Sequence, residues 1–211
     1  MTALVIAVDG PAAAGKGTLA RRLAAHFGLP YLDTGLLYRA VGRRVLDGEG
    51  DPRDAGVAEA AALGLRGEDV QRPDLRGAAA DEAASQVAAH GGVRRALVAF
   101  QRGFAAGGGA VLDGRDIGTV IFPDARVKLY VTASAEARAR RRWLEVSARD
   151  PAVTLAAVAA EMAARDARDA GRDAAPMKPA ADAVVLDTTA LDAEAAFGAA
   201  VAVVVGKLAG G

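Results

Sequence analysis

Residues 4–18, LVIAVDGPAAAGKGT, join a short apolar run to a loop bounded by glycines. The run from Leu4 to Val8 is aliphatic and rich in branched residues, which favours a buried strand. The segment 19–27 that follows the loop places its apolar residues at helical spacing. The spacing from Gly10 to Gly15-Lys16 is that of a P-loop, a strand-to-helix turn that wraps phosphate. This stretch therefore predicts an α/β fold that binds a nucleotide phosphate.

The loop contains the parts that phosphate binding requires. Glycines let backbone N–H groups turn inward, the helix N-terminus adds partial positive charge, and Lys16 reaches the outer phosphates. The alternative is a glycine turn that binds nothing, and the register of strand, loop, lysine and helix argues against it. The predicted ATP-binding residues are Gly10, Pro11, Ala12, Ala13, Ala14, Gly15, Lys16, Gly17 and Thr18.

One position departs from the strict motif. Gly17 directly follows Lys16, where a strict P-loop carries the Ser or Thr whose hydroxyl binds the metal. The hydroxyl comes one residue later, at Thr18. We therefore expect Mg²⁺ to be held mostly by water and phosphates, with Thr18 and Asp113 as candidate ligands that can act through water.

Length and composition agree with a nucleotide-binding domain. The 211 residues suffice for one α/β domain with a smaller insert, and 26 acidic against 26 basic residues give no overall attraction to nucleic acid or membranes. The absence of cysteine excludes a disulfide framework and thiol catalysis. The chain begins at once with a strand, so no signal peptide is expected. The apolar run 195–208 predicts a buried terminal helix. We expect a soluble, cytoplasmic monomer.

Short apolar runs predict four further strands. They lie at 31–33, 110–113, 127–131 and 183–187, and helix-prone segments separate most of them. This alternation predicts a doubly wound sheet of five parallel strands, with ligands at the carboxyl ends of the strands. The interval 34–108 shows no clear strand and predicts a helical insert.

Capping residues predict where three of the helices begin. Ser134 is a candidate cap for 135–149, and Thr154 for 155–169. Thr189 with Asp192 resembles a capping box before the last helix.

Three polar segments add to the P-loop. DTGLLYR (33–39) follows the second strand, and DGRDIG (113–118) follows the third. In RDARDAGR (165–172), Arg165, Asp169 and Arg172 share one helical face. Each segment has a simpler interpretation, because Arg165–Asp169 can be an exposed ion pair and 113–118 a plain turn. The arginine-rich segment 138–142 can likewise be a solvated helix face.

Taken together, five motifs resemble the bacterial cytidylate kinase family. They are GPAAAGKGT, DTGLLYR, ASQVAA (84–89), DGRDIGTVIFPDA (113–125) and RDARDAGR, in that order along the chain. The resemblance implies one P-loop kinase domain, 1–211, with three layers and a five-stranded parallel sheet. It further implies a monophosphate-binding insert at 34–108 and a short mobile lid at about 138–165. The family insert often contains a small antiparallel sheet, much of which is missing around 65–70.

The resemblance also implies an activity and a site. The enzyme would transfer the γ-phosphoryl of ATP to CMP or dCMP, with Mg²⁺, in pyrimidine nucleotide metabolism. The matching residues that would face cytosine are Thr34, Arg94, Asp116 and Arg172. Those that would face the sugar are Ser85, Arg165 and Asp169, and those that would grip the acceptor phosphate are Arg39 and Arg115, with Arg172 nearby. Catalysis would rest on Lys16, Arg115 and Arg172, and lid closure would carry Arg138, Arg141 and Arg142 inward.

Two rival functions remain open on the sequence. One is another small-molecule kinase, acting on AMP, UMP or a non-nucleotide acceptor. Arg94 with Asp116 favours cytosine, because an acid accepts from the exocyclic amine that uracil lacks. The other rival is a nucleotide-dependent switch, and the sequence contains no Asn-Lys-x-Asp motif for guanine.

Overall fold

The computed structural model describes residues 3–171 and 175–210, except the side chain of Ala78. Its strands are β1 (Leu4–Asp9), β2 (Tyr31–Asp33), β3 (Gly109–Gly114), β4 (Val127–Thr132) and β5 (Val184–Asp187). Its helices are α1 (Lys16–Phe27), α2 (Thr34–Asp47), α3 (Ala55–Leu63), α4 (Ala78–Val87), α5 (Gly91–Ala105), α6 (Ala135–Ser147), α7 (Leu155–Ala170) and α8 (Ala193–Ala209). A 3₁₀ turn (Asp69–Gln71) and a π-helical turn (Ile117–Ile121) complete the elements.

The five strands form one sheet in the order β2-β3-β1-β4-β5. The pairs β1–β3, β1–β4 and β4–β5 are parallel, so their carboxyl ends meet at one edge. In this register Asp9 at the end of β1 is the partner of Gly114 on β3 and of Tyr130 on β4. The predicted α/β class and five-stranded parallel sheet are confirmed, and the polar residues after β1 and β3 are neighbours.

The chain divides into two compact units. The first comprises 1–31 and 108–211, and its core packs α1 and α8 against one face of the sheet through buried residues such as Ile6, Val8 and Leu129. Leu23 of α1 and Val204 of α8 are fully buried in this cluster. The apolar C-terminal run is therefore a helix that packs on the sheet through one face, with Ala196, Ala200 and Val204 buried, and the expectation of a buried helix holds for that face alone.

The second unit comprises residues 32–107 and is helical. Its core is formed by Leu37 and Val41 of α2 together with Val87, Val93 and Leu97. The predicted insert, 34–108, falls on this unit. Residues 65–71 form turns and the 3₁₀ turn, so the described part of the unit contains no strand beyond the end of β2.

Helix caps were predicted in part. The Ser134 hydroxyl accepts from the backbone N–H of Ala137, and Thr154 caps α7 in the same way, both at 3.2 Å. The capping box before α8 is wrong, because Asp192 alone caps this helix by accepting from Ala195 N at 2.8 Å. The Thr189 hydroxyl instead donates to the Asp187 carboxylate two residues earlier, a local bond that competes with capping.

Candidate active site

The loop between β1 and α1 takes its shape from the backbone. Gly10 has φ 145°, and a Cβ built there would lie 2.0 Å from the carbonyl oxygen of Val131. Gly15 has φ 88° and directly precedes Lys16, the first residue of α1. Ala13 adopts φ 57°, a conformation that residues with a side chain rarely enter. Changes between negative and positive φ along a loop are the backbone pattern by which successive N–H groups form an anion-binding concavity.

Lys16 lies beside an acid at the end of β3. Its Nζ is 3.8 Å from Oδ2 of Asp113, and the Tyr31 hydroxyl donates to Oδ1 of the same carboxylate at 2.8 Å. Asp113 is buried, whereas Thr18, the other candidate metal ligand, is exposed. The structure therefore brings Lys16 and Asp113 together at the edge of the sheet.

A cavity of about 300 Å³ opens beside the P-loop. Gly15 and Thr18 contribute to its wall, together with Arg141 of α6 and Leu191 before α8. Thr188, which follows β5, donates its hydroxyl to the carbonyl of Ala14 and accepts from Arg141, both at 3.0 Å. The remaining lining residues are Ala14, Leu19, Arg22, Asp192, Ala193 and Ala196. The cavity is thus lined by both the P-loop and the segment that follows β5.

Arg115 and Asp169 form a buried ion pair. Nε of Arg115 donates to Oδ2 of Asp169, whose side chain is only 1% exposed. Burial acts to lower the pKa of Arg115, but Asp169, with Asp166 and Asp113, raises it above its usual value, so the guanidinium stays charged. The exposed ion pair considered for 165–169 is therefore wrong for Asp169.

The three predicted lid arginines have different surroundings. Arg138 is buried, donates to the carbonyls of Ala133 and Ala12 at 3.1 and 3.3 Å, and pairs with Asp166 of α7 at 2.7 Å. Arg141 lines the cavity. Arg142 pairs with Glu145 of its own helix at 3.1 Å. Arg138 thus contacts the P-loop backbone.

Asp9 is a residue that sequence reasoning missed. Its two carboxylate oxygens accept from the N–H groups of Ile117 and Gly118, each at 2.8 Å. Burial raises the pKa of Asp9 to about 7, although these two N–H groups oppose the rise. An acid at the end of an apolar strand was the one available signal. Asp116, next to the two donors, is also buried.

Four predicted substrate residues lie in the unit 32–107. Thr34 begins α2, Ser85 lies on α4 and Arg94 on α5, and all three are buried. Arg39 pairs with Asp81 of α4 at 2.8 Å. Nη1 of Arg94 donates to the carbonyl of Ala88 at 3.3 Å, and its guanidinium lies 5.7 Å from the Tyr38 ring centroid.

Two predicted residues remain, Arg165 and Arg172. Arg165 is half-buried on this helix, four residues before Asp169. Arg172, predicted for both base and phosphate, lies outside the described residues. None of the described helices has the length and hydropathy needed to cross a bilayer.

These features define a kinase-like P-loop fold: Lys16 opens α1 behind a glycine loop, at the carboxyl edge of a five-stranded parallel sheet. Comparison with known proteins agrees with this class of protein and identifies the family within it. A model described as cytidylate kinase matches residues 6–204, and the chain belongs to this family, which confirms the resemblance.

Relatives of high identity span nearly the whole chain. It is 67% identical to a cytidylate kinase of Granulibacter bethesdensis over 194 residues, covering 92% of this chain and 93% of the relative. It is 59% identical to a cytidylate kinase of Acidiphilium cryptum over 197 residues, covering 93% of each. A solved structure of an uncharacterised protein from Eubacterium ventriosum matches with a TM-score of 0.54 at 14% identity over 99% of each chain, which shows the fold alone.

Proposed function

We propose that this chain transfers the γ-phosphoryl of ATP to CMP or dCMP and yields ADP with CDP or dCDP. The observation that carries the proposal is the P-loop with Lys16 at the N-terminus of α1, in a member of the cytidylate kinase family. We further propose that the protein acts as a monomer in the cytoplasm, in pyrimidine nucleotide metabolism.

The donor phosphates are bound by the P-loop. Its inward N–H groups and Lys16 compensate the negative charge that spreads over the γ-phosphoryl in the transition state. No side-chain base is needed, because the acceptor phosphate is already an anion. The protein's contribution is therefore positioning and electrostatic stabilisation.

A divalent cation, Mg²⁺, fits the donors present near Lys16. Asp113 and Thr18 offer oxygen ligands of the kind Mg²⁺ prefers. The described residues hold no group of three acidic, histidine or cysteine side chains that could hold a metal ion. This sparse donor set favours a metal bound mostly to phosphates and water, with Asp113 acting through water. When bound, Mg²⁺ neutralises phosphate charge.

The base of ATP fits the cavity beside the P-loop. The wall contains apolar Leu19 and Leu191, the Arg141 side chain and the Thr188 hydroxyl, a mixture that suits a flat heterocycle with polar edges. Arg141 donates to the Thr188 hydroxyl at 3.0 Å, so its guanidinium lies at the wall of this cavity. We infer that residues 188–191 contribute to donor binding although no sequence motif marks them.

The acceptor is bound by charged and polar side chains. We propose that Arg39 and Arg115 bind the CMP phosphate, since both are arginines whose forked donors suit phosphate. Asp169 with Ser85 and Arg165 is assigned to the sugar, and Thr34, Arg94, Asp116 and Arg172 to cytosine. Asp81 and Asp169 pair with Arg39 and Arg115, so a phosphate bound there would replace or join a carboxylate at each arginine.

Water must be kept from the γ-phosphoryl, because water would otherwise accept it. We propose that the lid, 138–165, closes over the bound nucleotides for this purpose. Ala12 and Ala13 of the P-loop pack against Val158 and Met162 of α7, so the donor loop and the lid helices already share an apolar contact.

An acceptor panel tests the proposal. Purified protein is given ATP and Mg²⁺ with CMP, dCMP, UMP or AMP, and the diphosphate products are separated and quantified. We expect CDP and dCDP, with UMP and AMP phosphorylated far more slowly. Lys16→Met serves as the inactive control for contaminating kinases. Preferred phosphorylation of UMP or AMP, or ATP hydrolysis without an acceptor product, would contradict the proposal.

A further inference from the structure

Asp9 occupies an unusual position for a buried acid. It is the last residue of β1 and directly precedes Gly10 of the P-loop, yet its side chain is turned to the segment after β3. The residue is only 5% exposed. Each carboxylate oxygen accepts one backbone N–H, from Ile117 and from Gly118. Asp9 is therefore covalently joined to the P-loop, which we take as the donor loop. Its side chain is hydrogen-bonded to residues 115–118, called the 115–118 turn below.

The 115–118 turn is anchored on both sides of Asp116. Before Asp116, the Arg115 side chain is held by Asp169. After it, the N–H groups of residues 117 and 118 are held by Asp9. The carbonyl of Asp116 accepts from Val120 and Ile121 at 2.9 and 3.2 Å. The backbone that aims Arg115 and Asp116 is thus fixed by a carboxylate more than 100 residues earlier in the chain.

We propose that Asp9 is a positioning residue for the acceptor nucleotide, holding the 115–118 turn so that Arg115 and Asp116 meet the phosphate and base of CMP. This inference rests on the proposed function. We assign Asp9 no contact with either substrate. Each carboxylate oxygen accepts one backbone N–H here, whereas an amide would turn its own NH₂ donor toward one of the two N–H groups, so this position favours an aspartate.

The packing of Gly118 supports this role. A Cβ built on Gly118 would lie 3.4 Å from Oδ2 of Asp9 and 3.2 Å from Cδ of Lys128. The turn therefore fits closely between the Asp9 carboxylate and the Lys128 stem. The Lys128 ammonium is directed elsewhere, to the carbonyl of Pro123 and to Asp182 at 2.8 Å, and so does not neutralise Asp9.

The charge on Asp9 is set by the groups around it. Burial raises its pKa to about 7, the N–H groups of 118 and 117 lower it, Asp116 raises it and Lys16 lowers it. Tyr130, its neighbour on β4, has a raised pKa, mainly through burial and then through Asp9. The ionised carboxylate accepts two N–H groups better than the neutral acid, so the turn is held more firmly as pH rises through 7.

The effect on stability has the opposite sign. Because the pKa of Asp9 in the folded protein lies above its unfolded value of 3.8, the folded state binds the extra proton between these values. The stability that this group contributes is complete below pH 3.8 and is lost as pH rises toward 7. Activity and stability should therefore respond to Asp9 in opposite directions over the same pH range.

The test is Asp9→Asn, with Asp69→Asn as the matched control. Asp69 is a similarly buried carboxylate that accepts a backbone N–H, from Arg66, and pairs with Arg44. We expect Asp9→Asn to lower kcat/KM for CMP about tenfold or more, mainly through KM for CMP, because one buried N–H loses its acceptor. KM for ATP should stay within about twofold of the parent, because the variant weakens the binding of the acceptor and leaves the binding of ATP intact.

The pH profile separates positioning from a merely structural role. The ratio of parent to Asp9→Asn kcat/KM for CMP should rise with pH through about 7, whereas the ionisation of the CMP phosphate affects both proteins and cancels. The melting temperature of the parent relative to the variant should fall over pH 5 to 8. A ratio that is constant with pH, or KM for ATP raised as much as KM for CMP, would overturn the inference.

A second variant covers the case in which Asp9→Asn does not fold. Gly118→Ala crowds the same contact from the turn, and should raise KM for CMP several-fold with KM for ATP unchanged. Unchanged KM for CMP in Gly118→Ala would overturn the inference. A parent that does not phosphorylate CMP would instead refute the proposed function, so the two failures are distinguishable.

Discussion

The P-loop, residues 10–18, and the 115–118 turn follow the carboxyl ends of the neighbouring parallel strands β1 and β3, yet they are built in different ways. The P-loop is shaped by its backbone, with positive φ at Gly10, Ala13 and Gly15. The turn is shaped by two buried carboxylates. Asp9 accepts hydrogen bonds from its N–H groups, and Asp169 forms an ion pair with Arg115. Nearly all P-loop side chains are small, whereas the turn depends on particular carboxylates.

This difference matches two tasks. A phosphate has the same oxygens in every nucleotide, so a ring of backbone N–H groups is enough to bind it. A base and its attached phosphate must be discriminated, which requires donors and acceptors at fixed places. We therefore expect P-loop changes to impair every reaction of the enzyme, and changes at the turn to impair the acceptor selectively.

The largest effect is expected from Gly10→Ala. A Cβ there would lie 2.0 Å from the Val131 carbonyl, at a φ that L-residues avoid. We expect a loss of about 3 kcal/mol or more in the free energy of unfolding, because overpacking and backbone strain add. Chemical denaturation measures this change in the free energy of unfolding. Gly107→Ala, at a surface position with nothing within 4 Å of the new Cβ, is the control. Equal stability of both variants would contradict the backbone account of the P-loop.

Lys16→Met should come next. It keeps most of the side-chain bulk and removes the charge near the transferred phosphoryl, so kcat should fall about 100-fold or more, as for other preorganised electrostatic contacts. CMP and dCMP should be affected equally. Lys207→Met, an exposed lysine on α8, is the control and should be active. Turnover within a few-fold of the parent would refute the role of Lys16.

Asp169→Asn should have a smaller and more selective effect. The amide oxygen still accepts from Arg115, but the buried carboxylate assigned to the sugar is lost. We expect kcat/KM for CMP to fall about tenfold, with a different factor for dCMP, because the two differ only at the 2′-hydroxyl. Glu161→Gln, an exposed acid on the same helix, is the control. Unchanged kinetics with both acceptors would contradict the assignment of Asp169 to the sugar.

The contrast between the two regions also explains what the sequence could predict. Local patterns located the P-loop and all five strands, and the ends differ by about one residue because apolar runs stop near the sheet edge. The Ser134 and Thr154 hydroxyls accept from N–H groups three residues away, so these two caps could also be predicted from the sequence. The predicted capping box at Thr189 is wrong because the Thr189 hydroxyl donates to the carboxylate of Asp187, only two residues away.

Contacts between distant residues could not be predicted in the same way. Asp9 reaches Ile117 across 108 positions, Arg138 reaches Ala12 across 126, and Thr188 reaches Ala14 across 174. No spacing rule connects such pairs, since they meet only when the parallel strands align. Arg115 and Asp116 stood out as part of a polar segment after the third strand, and the family motifs gave them their roles. The contacts that hold them, from Asp9 and Asp169, became visible in the structure.

The most direct test of the division between donor loop and acceptor turn is Asp116→Asn. Two quantities are measured: the Kd for ATP without acceptor, and kcat/KM for CMP. Asp124→Asn, an exposed acid in the same motif, is the control. We predict an unchanged Kd for ATP and a loss in kcat/KM that corresponds to about 1–3 kcal/mol, the cost of an unmatched polar group in a closed site. Equal weakening of ATP binding would contradict the account, because it would place Asp116 in donor or metal binding.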